Sequence, residues 1–113
     1  MVDLAKQTIE TIDDSSKAMS DTEIREFLPN LRGWNLVYKD GEDRLERGFT
    51  FPNFTKALDF TNRVGQAADA EDHHPLICTE WGKVTISWWT HKVHGLHLND
   101  FIMAARTDQI YSA

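Results

Sequence analysis

Apolar and polar positions change their spacing several times along the chain, and each change marks an element. Residues 1–19 mix charges with scattered apolar positions. They read as a loose lead-in with room for a helix from about Leu4 to Ile12 but no strong stripe. Ser20 followed by Glu23 fits a capping box, in which each residue satisfies a backbone N–H of the other. Ile24, Phe27 and Leu28 then give one apolar face, and Pro29 ends the helix near Leu28. From Trp34 to Asp40 the period drops to two, with Trp34, Leu36 and Tyr38 on one face. Residues 44–51 repeat it with Leu45, Arg47, Phe49 and Phe51, and KDGED between them has hairpin turn chemistry.

Pro52 and Asn53 stop that strand. Phe54, Ala57, Leu58, Thr61, Val64, Gly65 and Ala68 then recur at helical spacing to about Ala70. Leu76–Glu80 and Lys83–Thr90 read as a second strand pair joined at Trp81-Gly82, the longer strand setting Val84, Ile86 and Trp88 against Thr85, Ser87 and Trp89. A last helix carries Leu98, Ile102 and Ala105 near one face, with Phe101 beside them. The order is α-β-β-α-β-β-α. It predicts an α+β, two-layer fold: a four-stranded antiparallel sheet with the helices packed on one face. A single domain is expected over residues 20–113, preceded by an N-terminal extension over 1–19. Edge strands offer a route to sheet extension between subunits.

Composition narrows the function classes. At 113 residues with 41% hydrophobic positions, the chain supports one folded core. Twelve basic against 18 acidic residues give a net charge of -6, which disfavours direct contact with nucleic acid or an anionic membrane. No apolar run is long enough to span a bilayer, and the opening residues lack a secretory apolar region. The single cysteine, Cys78, forms no internal pair, so a cytoplasmic place is the default expectation. Dinucleotide, Walker and serine-elbow motifs are all absent from the sequence.

The chemistry concentrates in EDHHPLI, residues 71–77. Successive side chains on a strand point to opposite faces, so His73 and His74 converge only at a turn or helix end. His91, at the end of the long strand, joins them if the hairpin returns toward Pro75. Three imidazoles could form a zinc set. The adjacent pair, however, lacks the separation of familiar helical ligand pairs, and Cys78 has no partner cysteine, so no metal is expected. Acid–base work is the more economical use, since imidazole exchanges protons near neutrality. Asp69 and Asp100 are candidates to orient imidazoles. Equally, Asp69 could be a polar helix-end residue and Asp100 a first-turn acid favoured by the helix dipole. His94 and His97 read as surface or capping residues.

From about Ser20 to Ala105 the chain resembles the pterin-4a-carbinolamine dehydratases, a family also known as dimerisation cofactors of a homeodomain transcription factor. The resemblance rests on PNLRGW, RLERGFTFPNFTKALDFTNRV, DAEDHHP, KVTISWWTH and GLHLNDFIMA, in that order. It implies removal of water from the 4a-hydroxytetrahydropterin made by aromatic amino acid hydroxylases, giving a quinonoid dihydropterin for recycling. The pterin is then the substrate, and no cofactor is implied. His73, His74 and His91 match the family's three active-site histidines, and Asp100 its aspartate after the GL turn. The resemblance assigns His73 and His91 to proton transfer, and His74 mainly to holding the pterin and its hydroxyl. Asp69 stands where many members have glutamate, and Pro75 matches the proline that fixes the exit from the pair. Trp88 or Trp89 would border the flat ring, with Trp89 the choice for substrate binding.

The resemblance also implies a homodimer through paired sheets, or a homotetramer through helices, and leaves room for a protein partner. In GLHLND, His97 replaces the commoner serine or threonine, and the first 19 residues lie outside the match. A binding or assembly protein using the same fold is the competing class. Retention of all three histidines weighs against a purely structural role.

Overall fold

Two helix starts, whose first N–H groups need acceptors, and one tight turn set the frame of the computed structural model, which describes residues 3–113. Ser20 and Glu23 form the reciprocal capping box that opens α1 (Asp21–Phe27). Asn53 caps α2 (Phe54–Ala70) by accepting the N–H of Lys56 at 2.9 Å. Asp40 and Gly41 both take positive φ, 54° and 80°, and so make the two-residue turn between β1 (Asn35–Lys39) and β2 (Glu42–Thr50). The remaining elements are β3 (Leu76–Glu80), β4 (Lys83–Trp88) and α3 (Leu98–Ser112). The strands form one antiparallel sheet in the order β1-β2-β4-β3.

Register places the core. Leu45 faces Trp88, Arg47 faces Ile86 and Phe49 faces Val84, while Ile77 lies opposite Ile86 on the outer strand. These positions share the face on which α2 and α3 lie. Leu45, Phe49, Val84, Ile86 and Trp88 are at most 1% exposed there, against Ala57, Phe60, Val64 and Ala68 of α2. An aromatic cluster closes one end: the Phe49 ring is 4.9 Å from both Phe60 and Tyr111. Phe51, expected to end the strand, lies just beyond β2 and packs on Phe60 and Tyr111. Arg47 is the charged member of this face. It stacks over Phe49 at 4.6 Å and pairs with Asp108 of α3 at 2.7 Å.

Two expectations change. Leu36 shares the face of Leu45 by register, yet Leu36 and Tyr38 are 43% and 74% exposed. β1 is an edge strand, and the helices pack over β2, β3 and β4 instead. Trp34 is buried, but from a position before β1, against Phe49.

The lead-in is not loose. Only Leu4–Lys6 is helical, as one 3-10 turn, but Leu4 is 3% exposed within the core. The cause lies in α3, where Phe101, Ile102, Met103 and Ala104 are consecutive and all buried. A helix apolar around its circumference needs cover on every side. The sheet and α2 supply one side, and Leu4, Ile24 and Phe27 lie toward the other.

Candidate active site

The site begins where α2 ends. Asp72 takes φ 50°, its N–H reaches Asp69 O at 3.2 Å, and His73 N–H reaches Ala68 O at 3.1 Å. This is the paired hydrogen-bond pattern of a left-handed helix stop, here with aspartate where glycine is usual. The stop reverses the chain so that His73 turns inward and His74 outward. Their side chains are 10% and 58% exposed.

His73 stacks on Trp88 with planes 5° apart, and its Nε2 lies 2.6 Å from Asp100 Oδ1. Asp100 is fully buried at the start of α3 and has further donors on its other oxygen. The Thr90 hydroxyl donates at 2.8 Å and the His97 N–H at 2.9 Å. An ionised Asp100 only accepts, so His73 donates to it through Nε2–H, and a neutral ring then carries its lone pair on Nδ1. Outside, His74 Nε2 lies 3.1 Å from Asp69 Oδ1.

His91 opens the tight loop after β4, closed by Thr90 N–H to Gly95 O at 2.8 Å with His94 in the left-handed region. Its ring meets Trp89 edge-on at 5.0 Å, while Arg44 covers Trp89 with its guanidinium carbon 3.8 Å from the ring centre. A cavity of about 240 Å³ results, bordered by His73, His74, His91, Trp89, Asp72 and Ile12. Among the described residues, no group of three His, Cys, Asp or Glu side chains has the arrangement of a metal site.

The structure therefore brings His73, His74, His91 and Trp89 to one cavity. Asp100 lies behind His73, hydrogen-bonded to it, and Asp69 stands beside His74; both are outside the lining. Pro75 is not part of the lining because the chain already leaves there toward β3 at Leu76. Thr90 and Ile12 were missed, whereas His97 was read as a surface or capping residue. Thr90 directly precedes His91 in the sequence, which was a usable signal for it. His97 is a helix cap: its Nδ1 accepts the Asn99 N–H at 3.1 Å. Ile12 gave no signal, since nothing in an irregular segment indicates what it packs against. Among the described residues, no helix is long and apolar enough to cross a membrane.

The chain is similar to known proteins in sequence and in fold. The family model for pterin 4 alpha carbinolamine dehydratase matches residues 17–110. A protein of Marinobacter nauticus, provisionally named a pterin-4-alpha-carbinolamine dehydratase, is 48% identical over 98% of this chain and 100% of its own length. A Chlorobaculum tepidum protein with the same provisional name is 55% identical over 81% of this chain and 83% of its own. The crystal structure of a transcriptional coactivator/pterin dehydratase from Brucella melitensis superposes with a TM-score of 0.76 at 30% identity, covering 83% of this chain and 98% of that one. The chain belongs to the pterin 4 alpha carbinolamine dehydratase family, whose named reaction is that of a hydro-lyase.

Proposed function

We infer that this chain dehydrates a 4a-hydroxytetrahydropterin to the quinonoid dihydropterin by histidine acid–base catalysis, as a step in tetrahydropterin recycling. One observation carries the reading: a buried imidazole, fixed through Nε2 by Asp100, borders a small cavity that His74 and His91 also border.

The reaction has a simple proton balance. The bond from C4a to the hydroxyl oxygen breaks, and that oxygen gains a proton to leave as water. A ring nitrogen loses a proton as the new double bond forms. No electrons enter or leave, so neither a metal nor a redox cofactor is required by the balance. His73 exchanges protons at Nδ1 while Asp100 holds the ring by its other nitrogen. His91 carries the second transfer; no side-chain hydrogen bond among the described residues ties up its ring. His74, leaning on Asp69, holds the substrate and its hydroxyl. Trp89, buried with Arg44 over its ring, borders the cavity and supports His91 edge-on.

Oligomerisation is part of this proposal. β1 and β3 are the outer strands of the sheet, and each leaves one side free for pairing with a second copy.

The test is stopped-flow absorbance on freshly generated carbinolamine, with its spontaneous dehydration subtracted. Wild-type protein should accelerate the reaction, and His73→Ala should lower that acceleration by about 10²-fold or more. A folded protein that gives no acceleration contradicts the reading and favours the binding or assembly role.

A further inference from the structure

Ile12 of the N-terminal segment borders the same cavity as the histidines, and most of that segment lies before the region matched by the family model. That segment is held by specific bonds. Arg106 of α3 donates to the backbone oxygens of Ala5 at 3.1 Å and Gln7 at 2.7 Å. Asn99, 1% exposed, commits both ends of its amide to a single residue. Its Oδ1 accepts the Glu10 N–H and its Nδ2 donates to Glu10 O, each at 2.8 Å. Further on, Met19 N–H reaches Leu96 O at 2.7 Å, and Lys92 pairs with Asp14 at 2.9 Å.

Asn99 and Asp100 are consecutive. The same helical turn thus fixes the segment through one residue and the His73 ring through the next. Ile12 follows the Asn99 clamp by two residues and borders the histidine cavity. Its side chain is unlike that of Ile9, which packs against the core; Ile12 stays half-buried and outside it. A second cavity of about 440 Å³ adjoins the first, and Ile12, Asp72 and His73 border both.

We propose that Ile12 is a substrate-positioning residue, presented by a strap that Asn99 and Arg106 lock to α3. Its aliphatic side chain, half-exposed in the free protein, packs against the flat ring of the bound pterin and holds it toward His73. The inference rests on the dehydratase reading above. It concerns binding and placement, while proton transfer stays with the histidines.

The experiment measures two quantities on wild type, Ile12→Ala, Ile12→Leu and Asn99→Ala. One is the Kd of a 7,8-dihydropterin, which lacks the 4a hydroxyl and cannot react, by calorimetric titration. The other is KM and kcat on the carbinolamine. Ile12→Ala should raise both Kd and KM about tenfold, the scale of a few methyl and methylene groups left in water, with kcat within about twofold. Ile12→Leu should restore wild-type values. Asn99→Ala should raise KM in the same direction by releasing the strap. Ile12 lies outside the core, so its variants should keep the wild-type melting temperature, which separates this effect from unfolding. Unchanged Kd and KM in Ile12→Ala, in a protein that turns over and loses turnover in His73→Ala, overturn the strap proposal alone. A wild-type protein that neither binds the dihydropterin nor dehydrates the carbinolamine overturns the dehydratase reading, and the strap proposal with it.

Discussion

His73 and Asp100, separated by 27 positions in sequence, meet at 2.6 Å, with the carboxylate fully buried and the imidazole at the cavity edge. Asp100 accepts from three donors: His73 Nε2–H, the Thr90 hydroxyl and the His97 N–H. Asn at this position has one acceptor oxygen and an NH₂ group that cannot receive a proton. Asp100→Asn should therefore either set its NH₂ against the His73 Nε2–H or force the tautomer with the proton on Nδ1, which removes the lone pair facing the cavity. Turnover should fall about 10- to 100-fold, the usual scale for removing a group that orients a functional histidine. Asp100→Ala strands all three donors and should cost roughly 3 kcal/mol or more in urea unfolding. Wild-type stability in the alanine variant would show that these bonds contribute little.

A second carboxylate gives a pH signature. Asp108 accepts from the Trp34 indole at 3.0 Å and from Arg47 at 2.7 Å. Burial raises its carboxyl above the ordinary value, with the Trp34 hydrogen bond and the Arg47 charge pulling the other way. The folded chain thus holds this proton at a higher pH than the unfolded chain does. Protonation favours folding, so the contribution grows as pH falls through the folded value and is complete below the unfolded value. Relative to Asp108→Asn, which cannot titrate, wild type should gain stability as pH drops from neutrality to below the ordinary carboxylate value of about 3.9. Chemical denaturation of both proteins across that range checks it. A flat difference, or one of opposite sign, refutes the assignment.

Asp72 is the third case. It occupies the left-handed stop of α2 at φ 50°, a conformation that favours glycine over residues with a Cβ. Asp72→Gly should stabilise the protein by roughly 0.5–1 kcal/mol in urea unfolding, because relief of strain exceeds the added chain entropy. A loss of stability would mean that the Asp72 side chain makes a larger contribution than its backbone strain removes.

Local chemistry made much of the fold legible. Ser20 with Glu23, Asn53 before the Phe54–Ala70 stripe and the Asp40-Gly41 turn each announce a boundary in their own residues. Alternation gave the sheet faces, but parity does not say which part of a face is covered. Leu36 and Tyr38 therefore alternate on one face with Trp34 and are still exposed, because the edge strand runs beyond the helices. The histidines were legible as a set through the resemblance their motifs carry. The supports around them were not. Thr90 and His97 bind Asp100 by a hydroxyl and a backbone N–H, and neither leaves a periodic trace. The N-terminal segment is held by side chains reaching to its backbone, from Asn99 and Arg106 about 90 to 100 positions away. Such bonds are set by tertiary placement and are invisible to hydrophobic spacing.

The central claim is that Asp100 serves dehydration by holding His73. A double-mutant cycle tests it most directly: kcat on freshly generated carbinolamine for wild type, His73→Ala, Asp100→Asn and the double variant, each confirmed folded. If Asp100 acts through His73, the double variant should be no slower than His73→Ala alone, within about twofold. Losses that multiply in the double variant would show the two residues acting independently and contradict the account.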